Sequence, residues 1–526
     1  MKSLFYLLLA AIISIPAVSQ QVKVPGQFSG SFESFTQIYQ PDSAINALVP
    51  QDRIGSNNYL KLDYNYGPFS AGVQFESYLP SVAGFPFIEN KSALVHRYFR
   101  YSRERFSVQV GNFYEQFGSG LILRTWENRQ IGINNSLEGA NIQVEPFNFM
   151  KVKAVYGRMR KVFDYSASNI RGLDAEFDLS QLSKTPPAIR VMPGFSYVSK
   201  FEEYTGPEEN FPTTIQSYSG RLNIESDWVS TSIEYISKGS DPQLTNGMSR
   251  EKGHALLWNA SVTGNNLGVN LTVRELENML SRSERMSESM VTLMNYVPAL
   301  TKQHEFLTTN IYVYNAQALG ELGGQLDFFY NFEKGSAIGG KHGANLGINL
   351  SHYSGLKEPG KMFSTGGEKY FHDFNVELKK HWSDKLQTLF LYQNVFYNKA
   401  VIEGGLYDDV LTNAFVANSI YRLTKTKTLR LQAEHLWTEQ DRGNWAAALA
   451  EFSFAPTWIF TLGDLYNYGV TKLHYPYVGA SYTRGGTKIA VTYGRQRAGM
   501  FCAGGICRLV PATTGFNITL TSRFSN

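Results

Sequence analysis

Two cysteines in 526 residues, a near balance of charge and the lack of any long apolar run past the first fifteen residues exclude several function classes at once. Two thiols, Cys502 and Cys507, are too few ligands for a structural zinc site, and no histidine lies beside them in sequence. The nine histidines are scattered without metal-site spacing, so neither metal nor cofactor is expected. With 49 basic against 45 acidic residues there is no concentrated basic patch of the kind that binds nucleic acid. No later stretch approaches the roughly 18 apolar residues of a membrane helix, so any membrane role falls to strands. Heptads, low-complexity linkers and appended globular domains are also missing.

What the chain does have is aromatic side chains, 14% of all residues, with frequent glycine and a slightly negative mean hydropathy. A barrel with an aromatic, lipid-facing surface and a polar lumen has this composition, although a large soluble β-sandwich or β-solenoid comes close. The N-terminus favours export. Met1-Lys2-Ser3 is a short basic start, Leu4 to Ile15 an apolar run of signal-peptide length, and Ala17-Val18-Ser19 a small-residue cleavage site. Residues 1–19 are therefore expected to be a signal peptide and 20–526 the mature domain. No cysteine follows the cleavage site, so no lipoprotein anchor is expected. The first strand candidate, Gly26 to Tyr39, leaves no room for the plug domain of an energised receptor.

Alternation of apolar and polar residues runs the length of the mature chain. At its end Phe516, Ile518, Leu520 and Phe524 oppose Asn517, Thr519, Thr521 and Arg523, because successive strand side chains point to opposite faces. Ending on such a strand is how an outer-membrane barrel closes its last strand on its first. Tyr59 to Tyr66, Leu267 to Arg274, Phe374 to Lys379, Leu429 to Trp437 and Lys488 to Tyr493 repeat the pattern. Short turn signals such as Gly67-Pro68, Asn265-Asn266, Ser383-Asp384-Lys385, Lys425-Thr426-Lys427 and Arg484-Gly485-Gly486 interleave with longer connections such as 40–56, 80–92, 202–213 and 399–411. The expected fold is all-β: a single transmembrane antiparallel β-barrel of roughly 24 strands, between about 22 and 26, with inserted loop segments. Counting back from the C-terminus puts the Cys502–Cys507 loop outside and the Arg484 turn inside. Loops between about 280 and 366 receive no side, because one hairpin there is miscounted.

If the apolar faces meet lipid, the opposite faces give the lumen Lys61, Asp63, Lys151, Lys153, Glu234, Arg274, Glu377, Lys379, Arg430, Glu434, Lys488 and Arg523. Charges of both signs imply a wet interior with local fields. They either line a channel or pair to fill the barrel. The sharpest local motif is Gly111 to Gly132, where alternation is lost. Gly118 and Gly120 permit close approach or positive φ, and Arg124, Glu127 and Arg129 offer a charged ladder, either a pore constriction or a latch bracing the wall. Asn278 to Pro298 has Met279, Met286, Met290, Leu293, Met294 and Val297 at near-helical spacing, which predicts a helix packed on the wall or presented to apolar partners. In Phe501 to Arg508, glycine-rich spacing in an oxidising compartment predicts a Cys502–Cys507 disulfide.

Three segments, Gly111 to Gly120, Asn295 to His304 and Phe501 to Arg508, resemble those of a family of Bacteroidota outer-membrane proteins defined only as a domain of unknown function. The resemblance implies a barrel in the cell outer membrane and carries no activity or catalytic residue. The leading expectation is a passive, porin-like channel surrounded by outer-membrane lipid. The alternative is a non-conducting barrel that serves other envelope proteins as a structural or accessory subunit. A hydrolase is the remote third reading: His352 and Ser354 share a strand face, as in outer-membrane phospholipases. The flanking residues do not match that motif and no Asn partner follows, so no enzyme is expected.

Overall fold

The computed structural model describes residues 25–185, 187–204, 206 and 211–526, so the expected signal peptide lies outside the described residues. Strands pair antiparallel with their sequence neighbours in one sheet of 25, of which Asp164–Tyr165 is only a two-residue spur. The remaining 24 form the wall of a closed barrel. Closure is made by the first strand, Gln27–Gln40, and the last, Thr513–Ser525, in register from Ser29 opposite Ser525 to Gln40 opposite Thr514. Aromatic residues mark the outside of this seam, with the Phe28 and Phe524 rings 6.3 Å apart.

Side-chain alternation sorts the wall. Phe195, Leu431, Leu462 and Val478 are each half exposed or more on the outer surface, while the residues beside them in sequence face the lumen. Turns and loops sort with equal regularity. Tyr66–Phe69, Arg103–Phe106, Phe147–Met150 and Arg484–Thr487 close in tight turns at the end that holds both termini. The longer connections 41–53, 79–91, 114–136, 278–319, 355–368, 398–409 and 497–512 gather at the opposite end. This settles the region left without a side: 278–319 and 355–368 are at the long-loop end and 333–343 at the turn end. The miscount arises because 278–319 holds no wall strand at all.

The helix expected over Asn278 to Pro298 does not form. Asn278 takes a left-handed φ of 48°, the chain then doubles back so that Arg282 bridges Leu293, and only Met290–Thr292 makes a single 3-10 turn. Serines at 281, 283, 287 and 289 explain the outcome, since their hydroxyls compete for backbone groups. Ser289 indeed caps Val291 N–H at 3.4 Å, and the Thr292 hydroxyl donates to the Ser289 carbonyl at 2.8 Å. The methionines pack individually: Met279 and Met294 are buried against the wall, whereas Met286 is exposed.

The lumen face has two tiers. Toward the turn end it is polar, as at Ser232, Asn259, Asn270 and Thr272, which line an inner recess. Toward the long-loop end the same face turns apolar, with Ile170, Ile236, Leu276, Tyr353, Leu436 and Trp445 all buried. These positions face inward, and the inserted loops bury them.

Candidate functional site: a lumen filled from one end

Three segments from the long-loop end fold into the barrel. The first, residues 114–136, is held to the wall by Glu115, which is buried and accepts from Lys153 Nζ at 3.0 Å, Asn141 at 2.8 Å and Gln143 at 3.2 Å. Ser119 N–H donates to the Glu234 carboxylate at 2.9 Å, and the backbone comes so close that a Cβ on Gly118 would stand 2.3 Å from Glu234 Oε1. A side chain there would have to displace the Glu234 carboxylate, and the φ of 53° is one that glycine adopts without strain.

The second segment, 278–319, crosses the lumen. Its early part zips onto the first: Arg124 N–H donates to the Met294 carbonyl at 2.9 Å, Tyr296 N–H to Gly120 at 3.0 Å, and Asn295 Nδ2 to Leu121 at 3.1 Å. Its later part meets the far wall, where Tyr312 and Tyr314 join Tyr353, Phe371, Tyr397 and Trp445 in one buried cluster. Charges anchor it along the way. Arg274 pairs with Glu321 at 2.7 Å and donates to the Pro298 carbonyl at 2.6 Å. Lys302 reaches Glu377 at 3.2 Å, Arg430 reaches Glu305 at 3.1 Å, and Glu434 accepts from the Thr308 N–H and hydroxyl at 2.7 Å each.

The third is the hairpin of Gly499–Ala503 and Ile506–Val510, closed by the Cys502–Cys507 disulfide. Gly505 accepts from Ala299 N–H at 2.9 Å, the Tyr296 hydroxyl donates to the Gly504 carbonyl, and Ile506 packs with Ile131 and Ile133. The parts of the chain that carried the family resemblance thus converge at one place.

Between these insertions and the wall from Trp458 to Phe524, a cavity of about 660 Å³ is left. Its lining runs from Tyr477, Thr492 and Thr519 on the strands to Phe501, Arg508 and Val510 on the hairpin. Arg129 and Glu33 stand on its side, 2.8 Å apart. Arg129 also donates to Glu127 at 2.9 Å and lies over the Tyr59 ring at 4.6 Å. Burial raises the Glu127 carboxyl, but Arg129 beside it and hydrogen bonds from Arg129 and Gln74 bring it below the ordinary carboxylate range.

The ladder expected of Arg124, Glu127 and Arg129 is therefore only partly assembled. Arg124 leaves it and lies over Tyr296 at 3.9 Å, with Trp126 at 5.4 Å, because the second segment brings Tyr296 within reach. The charges assigned to the lumen occupy inward-facing positions. Lys61 and Asp63 pair at 3.6 Å, and Glu234, Arg274, Glu377, Arg430, Glu434 and Lys153 hold the insertions as described. Lys151 and Lys379 share a face with Lys153 and Glu377, while Lys488 and Arg523 share one with Thr492 and Thr519 below the cavity. His352 and Ser354 point away from the lumen, since Tyr353 between them donates inward to the Leu300 carbonyl, and His352 meets the His372 ring edge-on at 5.9 Å.

Sequence reasoning missed a bidentate ion pair of the interior. Arg160 and Glu76 are buried and bidentate at 3.0 and 2.5 Å. It also missed the apolar inner tier, whose signal is present: at the strand ends Leu276 follows Arg274, and Phe371 precedes Asp373, on what is otherwise the polar face.

Among solved structures, the fold is similar to the siderophore receptor PirA from Pseudomonas aeruginosa, at 8% identity over 95% of this chain and 81% of that one, with a TM-score of 0.42. It is similar also to the translocation pore of the P pilus usher PapC, at 9% identity over 95% and 99%, TM-score 0.41. The outer membrane protein opdK from Pseudomonas aeruginosa gives 10% identity over 95% and 99%, TM-score 0.38. Identities this low concern barrel architecture alone. A search of curated proteins finds no match. A family model described as "Family of unknown function (DUF6029)" matches residues 1–524.

Proposed function

The chain belongs to this family of unknown function, and from that premise we propose that it is an outer-membrane barrel acting as a passive, porin-like channel whose bore is narrowed by its own inserted loops. The apolar, aromatic outer wall is what lipid contact requires, and the tight turns at the end of both termini support a reading with that end on the periplasmic side. The carrying observation is the cavity of about 660 Å³ that the insertions leave along one side of the wall, from the long-loop hairpin down to the polar strands. At the long-loop end a lumen packed purely for support would bury that side as it buries Ile236, Ala255 and Leu276 across from it. Glu33 and Arg129 flank the cavity with opposite charges, which is how a narrow pore imposes a local field on a solute.

Single-channel recording of the folded protein in planar bilayers tests the reading. Reproducible steps are expected, with ion selectivity that shifts in Arg129→Ala and not in Arg124→Ala, because only Arg129 lines the cavity. Silence from demonstrably folded protein overturns it in favour of an accessory barrel. The many anchors of the second segment to both walls favour that alternative, and co-purifying envelope proteins would then be expected. The proposal includes no catalytic step. Phospholipid release by the wild type that Ser354→Ala abolishes would contradict it.

A further inference from the structure

The cavity's charges do not cancel. Arg129 has Glu33 and Glu127, Arg495 has Asp42 at 2.6 Å, and Glu305 has Arg430. Arg508 and Arg497, which also line the cavity, form no close ion pair among the described residues, and Glu403 acts on Arg497 only from a distance. Arg508 donates from Nε to the Gln130 carbonyl at 3.3 Å and from Nη1 to Gly84, leaving Nη2 without a protein acceptor among the described residues. Arg497 donates only to the carbonyls of Ala498 at 3.1 Å and Asn310 at 3.2 Å. Backbone carbonyls orient a guanidinium but leave its full charge uncompensated, and a low-dielectric setting lengthens the reach of that charge. Burial pushes the Arg508 guanidinium down to about 10, whereas its carboxylate partners hold Arg129 above the ordinary arginine value despite burial.

The surroundings are apolar. Arg508 lies over Phe85 at 4.6 Å and Phe501 at 5.4 Å, and Phe35, Phe306 and Tyr475 complete the wall. A volume of about 660 Å³ suits one small organic molecule. A hydrated inorganic ion would gain nothing from aromatic walls, and an organic cation would face two unpaired guanidiniums.

We propose that the solute of this channel is an amphipathic organic anion, its carboxylate or equivalent acid group held by Arg508 with Arg497 as the next station, and its aromatic or short aliphatic body against the ring-lined wall. This rests on the channel reading and names its substrate class.

The test separates binding from conduction. Calorimetric titration of the full-length protein in nanodiscs of neutral lipid, with 4-phenylbutanoate, 4-phenylbutanol and 4-phenylbutylamine as matched probes, requires no current. The butanoate is expected to bind about tenfold or more tightly than the amine, the effect of roughly one charge-assisted hydrogen bond. Arg508→Gln is expected to weaken the butanoate about tenfold, leave the alcohol unchanged and be rescued in part by Arg508→Lys. Equal affinity for the three probes in wild type overturns the inference, and that comparison decides even if Arg508→Gln fails to fold. So does unchanged butanoate affinity in a folded Arg508→Gln, Arg497→Gln double variant. Channel steps without anion preference sink this inference and leave the channel standing. Anion binding in a silent protein sinks the channel and leaves the anion site standing as a binding site alone.

Discussion

The same lumen is built in two ways. At the turn end its wall carries Ser232, Asn259, Asn270 and Thr272 facing open space, whereas at the long-loop end the same strands carry Ile236, Ala255 and Leu276 under the inserted segments. The difference teaches that interior polarity in a barrel follows what the side chain meets. Facing water, hydroxyls and amides need no partner from the protein. Under an insertion an unmatched charge is costly, and many of the charges kept there are paired: Arg160 with Glu76, Arg221 with Asp174 at 2.8 Å, Lys200 with Asp241 at 2.7 Å and Arg274 with Glu321.

The bluntest way to break the contrast is to remove what covers the inner tier. Replacing residues 283–310 by a short Gly-Ser link should raise single-channel conductance several-fold, because the segment crosses the bore without contributing a wall strand. An unchanged conductance would mean that the bore is closed elsewhere. Next in size is a broken pair at the covered end. Glu76→Gln leaves the buried Arg160 guanidinium without its counter-charge and should cost about 3 kcal/mol in urea titrations of the folded barrel. The matched core test is Leu276→Ala, expected to cost about 2 to 3 kcal/mol, set against Ser232→Ala at the open end, expected within about 0.5 kcal/mol. Equal costs would erase the two-tier description. The smallest effect is on pH. Burial, with Lys302 nearby, lowers His304 to about 3, so neutral His304 favours the packed segment above the unfolded value near 6.5. That contribution shrinks as pH falls from there toward 3. The protection factors of residues 299–310, with the intrinsic pH dependence of amide exchange divided out, should therefore fall between pH 7 and 4 and do so less in His304→Asn.

The wall was legible in the sequence because a strand with one face outward and one toward a wet lumen alternates with a period of two, as Leu429 to Glu434 does without interruption. Where a third environment enters, the pattern fails. Leu436 and Glu434 occupy one face, yet one packs with the aromatic cluster and the other caps Thr308, and nothing in the strand announces which insertion will arrive. Met279 to Val297 misled for a related reason: apolar residues at helical spacing were each claimed by a different neighbour, and serines gave the backbone local alternatives to a helix. The Arg129 ladder was visible as charge, but the desertion of Arg124 depends on Tyr296, which lies far away in sequence.

Leu267–Glu277 and Gly320–Phe332 pair directly, from Leu267 opposite Tyr330 to Glu277 opposite Gly320, although residues 278–319 intervene. The wall thus owes no register to the segment it encloses. The two strands would meet in the same way around a shorter or longer insertion, because the contacts that hold it, such as Lys302 with Glu377 and Thr308 with Glu434, tie it to the lumen and not to the seam.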